Sequence, residues 1–244
     1  MIKRYLLSSV CVIIVFSATR LFSYTTPKVV YPGGVPDISR NELLAAGVAG
    51  FPSGLSFAGE SIPLEDSQVF KKMDRAFKKH YRQLALNLEL MERNPGTMAT
   101  IDRLLKQHQI PQDFRYLPVI ESRLTLDTSH KGAGGYWQLM PVTARSLGLT
   151  VNGQADERND LVKSTEAACK YLKALYRELG SWTLAAAAYN IGQGTLQKEL
   201  RRQGTGSYYF LDLNNETERY LYRLVAIKEL LNHPVRYNAL YSRR

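Results

Sequence analysis

The sequence predicts an all-α protein. Apolar residues recur three and four apart over most of the chain beyond residue 66, no run shows sustained period-two alternation, and single glycines and prolines fall where helices would start or stop. The 244 residues suit one domain with attachments. With 45 % hydrophobic and 22 % charged residues the balance is globular, which excludes a disordered chain. There is no repeat of solenoid or propeller length, and no heptad or collagen-type period.

Lys3 and Arg4 precede an apolar run over residues 5–18 that Arg20 closes. A membrane-spanning helix needs about 20 apolar residues, so this shorter run reads as a signal-peptide core. Residues 1–23 are expected to be a signal peptide or N-terminal anchor, cut after Ser17 or Ser23 if cut at all, and to send the protein to the periplasm or cell envelope. Residues 24–65 contain Pro27, Pro32, Gly33, Gly34, Pro36, Gly50, Pro52, Gly54, Gly59 and Pro63 and read as a flexible linker, with room for a short helix at 40–48.

From Asp66 the period becomes helical. Phe70, Met73, Phe77, Tyr81, Leu84, Leu88 and Met91 form one amphipathic stripe that Pro95 and Gly96 stop, giving a helical extension over 66–100. Thr97 opens a second helix with Ile101, Leu104 and Leu105 inward, ending before Pro111. Residues 112–124 form a helix disturbed by Pro118, and a loop with Gly132, Gly134 and Gly135 follows. Pro141 suits the first position of a helix that ends at Gly148. Ser164 can cap a long helix closed by Gly180. Ser181 opens a helix with four consecutive alanines, 185–188, ended by Gly192 and Gly194. Asn214 or Asn215, with Glu216 and Glu218 in the first turn, starts a last helix carrying Tyr220, Leu221, Leu224, Ile227 and Leu231. The main domain then spans 101–234, with a tail at 235–244.

The formal charge of +10 fits an anionic partner or simply a solvated basic surface; no block of five like charges occurs. Export argues against a nucleic-acid partner. Without residues 1–23, Cys169 has no second cysteine to pair with. The four histidines are scattered, with no metal-ligand spacing, so neither a metal nor a cofactor is expected.

Glu121 is the residue that stands out. It shares a helical face with Phe114 and Leu117, a face that should be buried. Burial favours the protonated carboxyl, the form a general acid needs near neutral pH. A structural glutamate paired with Arg115, Arg123 or Arg145 fits the same pattern, and spacing alone leaves both open. The glycine loop leads into Tyr136, Trp137 and Gln138, and Tyr189 and Asn190 end the alanine-rich helix. Aromatic faces and amides suit a sugar polymer, although burial preference favours core roles for Trp137 and Tyr189.

In chain order these segments read Glu121-Ser122, then Gly132-Ala-Gly-Gly-Tyr-Trp-Gln138-Leu-Met-Pro141, then Ala187-Ala-Tyr189-Asn190-Ile-Gly192-Gln-Gly194. Together they resemble the SLT family of lytic transglycosylases, within it the branch of membrane-bound murein transglycosylase D. The resemblance covers about residues 104–231. It implies a compact, goose-type lysozyme-like helical domain that cuts peptidoglycan glycan strands, works without a cofactor and is a monomer, with membrane association only through the N-terminus. It implies that Glu121 is the sole catalytic carboxylate, acid and then base, and that Ser122 orients it. Gln138, Met140 and Tyr136 would line the cleft, Tyr189 and Asn190 would contact sugar or hold Glu121, and Glu166 and Tyr220 would face the cleft. The pair Tyr136-Trp137 is bulkier than the family's usual residues there, and Ile191 replaces a common alanine. A hydrolytic muramidase would need a second carboxylate, for which Asp127 and Glu166 are the candidates; a non-catalytic peptidoglycan-binding module is the other alternative.

Overall fold

The computed structural model describes residues 54–241. The expected signal or anchor, the helix expected at 40–48 and the linker as far as residue 53 lie outside the described residues. Among the described residues no helix is long and apolar enough to cross a membrane.

Helices dominate the described chain, as its 3.6-residue period predicts. Helix α1 (Ser67–Tyr81) starts at Asp66, whose carboxylate accepts from the amides of Gln68 and Val69, and buries Val69, Met73 and Phe77. The single long helix expected here is two, because the chain turns at Arg82 and Gln83 before α2 (Leu84–Arg93). Helix α3 (Pro95–Gln107) begins at Pro95 rather than Thr97. A proline needs no amide partner in a first turn, so it starts this helix as well as ending the one before. Pro118 acts likewise: a 3-10 turn (Gln112–Tyr116) gives way to α4 (Leu117–Glu121) at that proline.

Helix α5 (Pro141–Ser146) has Pro141 in its first turn as expected. Helix α6 (Leu161–Leu179) is capped by Asp160, not Ser164. Ser164 is buried one turn in, its hydroxyl 2.5 Å from Asp160 O. Gly180 closes α6 in a left-handed conformation, and Ser181 caps α7 (Trp182–Ile191). Gly192 ends α7, but α8 (Gln193–Gln203) follows at once and contains Gly194. Helix α9 (Asn215–Asn232) is capped by Asn214. Residues 235–241 of the expected tail join Pro234 in α10 (Pro234–Tyr241), where Tyr237 is fully buried and stacks on Phe77 at 4.9 Å; residues 242–244 lie outside the described residues.

Helix α9 runs through the centre and packs on α1, α2 and α7, while α6 lies between α3 and α7. The four alanines of α7 are all fully buried, and their small side chains allow these close helix neighbours.

The last part of the expected linker is instead part of the core. Strands β1 (Ser56–Phe57) and β2 (Glu60–Ser61) form a small hairpin, with Leu55, Phe57 and Ile62 buried. Phe57 meets Phe114 edge-on at 5.1 Å, and Phe114 meets Trp182 at 5.4 Å. The Glu60 carboxylate accepts from the amides of Trp182 and Thr183 and from the hydroxyls of Ser181 and Thr183. A carboxylate at that end satisfies amides that have no intrahelical partner and complements the helix dipole. Glycine and proline made this segment look like linker, yet Gly59 (φ +83°) serves the tight hairpin turn.

Candidate functional site

Glu121 is the last residue of α4, and the chain leaves it through an unusual turn. Arg123 and Leu124 both have left-handed backbones, φ +55° and +58°. Such geometry costs of order 1–3 kcal/mol per non-glycine residue and persists only where surrounding contacts hold it. Ser122 supplies some of them: its buried hydroxyl lies 3.0 Å from Pro118 O and 2.8 Å from Tyr136 O, tying α4 to the glycine loop. Thr125 Oγ1 lies 2.7 Å from Ser122 O and 2.8 Å from Asp127 Oδ2.

The Tyr220 hydroxyl, from α9, donates to Glu121 Oε1. Burial pushes the Glu121 carboxyl above the usual carboxylate range. The Tyr220 hydrogen bond and the Arg223 guanidinium work against that rise, and the negative charge of Glu216 adds to it. Desolvation is the largest influence, so the protonated acid is favoured relative to an exposed glutamate. None of the three expected arginines neutralises Glu121. Arg115 pairs with Asp102 at 2.9 Å, Arg145 donates to Val151 O at 3.0 Å, and Arg123 is exposed. The cation that reaches Glu121 is Arg223, which donates Nη2 to Ile120 O at 2.8 Å. It lies three residues beyond Tyr220 on α9, a spacing that could have drawn attention to it.

The glycine loop is built around a residue the sequence did not point to. Arg158 is 4 % exposed and donates to Gly132 O at 2.6 Å, to Leu139 O at 2.9 Å and in a fork to both Asp156 oxygens at 2.8 and 2.6 Å. This pairing lowers the Asp156 carboxyl. A Cβ on Gly135 would lie 2.0 Å from Arg158 O, and one on Gly134 2.9 Å from the guanidinium carbon. The glycines therefore make room for Arg158. Gln138 is left-handed (φ +48°), and its Nε2 donates to Asp127 O at 2.8 Å and Gly135 O at 3.0 Å, so this amide nitrogen braces the loop.

Trp137 is fully buried and donates Nε1 to Thr165 Oγ1 at 2.9 Å, a core role. Tyr189 is half-buried and donates to Trp137 O at 2.6 Å; burial first, and the Glu121 charge next, push its hydroxyl up. Tyr220 is buried, and its hydroxyl is bonded to Glu121. Asn190 accepts from Thr217 Oγ1 at 2.9 Å and lies 3.5 Å from Glu216 Oε1, bracing α7 against the start of α9. Met140 is 43 % exposed at the start of α5, and Tyr136 is half-buried beside it. Glu166 is half-buried on α6, one turn before Cys169, whose thiol burial and the Glu166 charge push up to about 12. Glu121, Ser122, Tyr136, Tyr189 and Tyr220 are thus linked by hydrogen bonds or charge. Asn190 and Glu166 share no hydrogen bond with Glu121. Among the described residues no three of His, Cys, Asp and Glu converge where a metal ion could be held.

Residues 99–210 match the family model described as "Transglycosylase SLT domain". Membrane-bound lytic murein transglycosylase D of Escherichia coli K12 is 33 % identical over 139 residues, covering 54 % of this chain and 31 % of the relative. The protein of the same name from E. coli O6:H1 matches equally. A protein of Alteromonas sp. strain M-1 named for tributyltin chloride resistance is 32 % identical over 98 residues, covering 39 % of this chain and 47 % of that one. The chain spans about a third of the length of the two E. coli relatives. The matched segment contains Glu121, the Arg158-braced loop and Tyr189 near the end of α7, and over that segment the chain is similar to the transglycosylase SLT domain and to the murein transglycosylases.

Proposed function

We propose that this chain is a peptidoglycan lytic transglycosylase of the cell envelope and that Glu121 is its acid–base group. The observation that carries this reading is a half-buried carboxyl, raised by desolvation, at the end of α4 inside the SLT-matched segment. The E. coli relatives are named as murein enzymes, which supports peptidoglycan as substrate.

Glu121 protonates the oxygen between N-acetylmuramic acid and N-acetylglucosamine, and the bond from that oxygen to the muramic C1 breaks. The N-acetylglucosamine part leaves with a hydroxyl. The muramic 2-acetamido oxygen stabilises the electron-poor C1. Glu121, now a carboxylate, accepts the proton of the muramic C6 hydroxyl as its oxygen bonds to C1, giving a 1,6-anhydro end. No water enters, and one carboxyl suffices because the nucleophile belongs to the same sugar. Tyr220 holds Oε1 and so leaves Oε2 to carry the proton. Ser122 fixes the turn after Glu121 to the loop that carries Gln138 and Met140, the residues expected to border the glycan. Tyr189 holds that loop from the other side.

The test is digestion of purified sacculi by the wild-type protein and by Glu121→Gln. Release of muropeptides by the first and a loss of 10²–10⁴-fold or more in the second is expected. Near wild-type release by Glu121→Gln would remove Glu121 from the role, and no release by the wild type would favour a binding module.

A further inference from the structure

Arg223, which donates to Ile120 O beside Glu121, also lines a second feature. Helices α1 and α9 enclose a cavity of about 180 Å³. Lys72, Arg75 and Lys79 line it from α1, and Arg219 and Arg223 from α9. The one acid in its lining, Glu218, is paired with Lys72 at 2.7 Å. Four cations remain around one concave space, the arrangement that concentrates anions.

The wall is also short of acceptors. The Tyr222 hydroxyl, Arg223 Nε and His80 Nδ1 are buried and find no hydrogen-bond partner among the described residues, and all three side chains line the cavity. His80 and Tyr222 are over nine-tenths buried. A buried donor left unpartnered is costly, and an acceptor bound beside the Tyr222 hydroxyl and Arg223 Nε would relieve that cost. The Tyr222 hydroxyl and the Arg223 Nε–H both need an acceptor, which an oxyanion supplies and a cation or neutral apolar group does not.

We infer that the α1–α9 cavity is a binding site for a small oxyanion, a carboxylate or a tetrahedral anion such as phosphate, and that its occupancy is felt at Glu121 through Arg223. Arg223 lines the cavity and also donates to Ile120 O, the carbonyl of the residue before Glu121. Its charge favours ionised Glu121. An anion seated against the guanidinium offsets that charge, so Glu121 should hold its proton to higher pH when the cavity is filled. The other groups facing Glu121 are Tyr220 and Glu216 on α9 and Tyr189 on α7, and none of them lines the cavity. On the cavity side burial, Arg223 and Lys79 hold His80 down to about 4, so it is uncharged near neutral pH. Asp66 and Glu218 supply the negative charge felt at Tyr222.

The binding claim stands without any catalytic role for Glu121, whereas its consequence for turnover rests on the function proposed above. Both parts can therefore be read without turnover. The full chain is titrated calorimetrically with sodium sulfate, whose charge is constant over the range, and with L-alanyl-D-glutamate as the carboxylate source, at ionic strength held with chloride. The Glu121 carboxyl carbon is followed by NMR through a pH series with and without the ligand that binds. Saturable binding of either probe is expected, weakened about tenfold or more in Arg75→Ala/Lys79→Ala/Arg219→Ala, which changes only exposed side chains. The Glu121 titration should move upward in the wild type and stay in place in the triple variant. Sulfate alone, the dipeptide alone, or both binding would each support the site and name its ligand chemistry. No saturable binding of either, or equal binding by a triple variant that melts like the wild type, would overturn the site. Binding with an unmoved Glu121 titration would overturn the coupling.

Discussion

Glu121 has a folded-state carboxyl raised above its unfolded value, which fixes the sign of its effect on stability. The folded state binds the extra proton, so the contribution of this carboxyl to stability is greatest at low pH and is lost as pH rises above the unfolded value of about 4.3. Glu121→Gln removes that loss and keeps an oxygen for Tyr220 to donate to. Its melting temperature should match or exceed the wild type at pH 7, and the gap should close toward pH 4; a lower melting temperature at pH 7 would contradict a desolvated carboxyl. Tyr220→Phe removes a donor that favours ionised Glu121, so the carboxyl should titrate at higher pH than in the wild type when followed by NMR. Glu121 was legible because it interrupts an apolar face after Phe114 and Leu117, and the tyrosines and glycines marked its neighbourhood. Arg223 and Arg158 were not legible. Both sit among other charges, and a buried arginine has the same sequence appearance as a solvated one until the carbonyls that surround it are known.

At the level of elements, the glycine loop and the N-terminal hairpin carry the sharpest expectations. Gly135 sits at φ +70° with no room for a Cβ against Arg158 O. Gly135→Ala should therefore displace the loop, lowering both the melting temperature and turnover, whereas Gly153→Ala, where a Cβ meets nothing within 4 Å, should leave both close to wild type. Glu60→Ala leaves the first amides of α7 without their acceptor and should cost about 1–2 kcal/mol by chemical denaturation. A chain starting at Gly54 should keep the stability of the full protein, and one starting at Asp66 should lose several °C for lack of Leu55, Phe57 and Ile62 in the core. The sequence placed most helices, since their starts and stops use local chemistry such as Pro141, Gly180, Ser181 and Asn214. It missed what depends on distant partners. The cap of α7 by Glu60 spans 122 residues, and the break at Arg82 has no glycine or proline to announce it.

Across the whole molecule, burial makes His80 a pH-dependent liability. Its imidazole is pushed down to about 4, so the unfolded chain takes up a proton between about 6.5 and 4 that the folded protein refuses. Stability should fall through that window by up to about 3 kcal/mol on this account, and His80→Gln should flatten the slope; an unchanged slope by urea denaturation would show that His80 is not its source. The all-α class was readable from the period alone, while the edges of the domain were not. Residues 54–65 and 235–241 are short and look peripheral, yet Phe57 and Tyr237 are fully buried, one against Phe114 and the other against Phe77. In the proposed reaction one carboxyl, at Glu121, cleaves glycan without consuming water. It is tested most directly by digesting sacculi in water enriched in heavy oxygen and weighing the products. Muropeptides ending in 1,6-anhydro-muramic acid, one water lighter than the reducing form and free of label, are expected; reducing-end muramic acid carrying heavy oxygen at C1 would rule the reaction out.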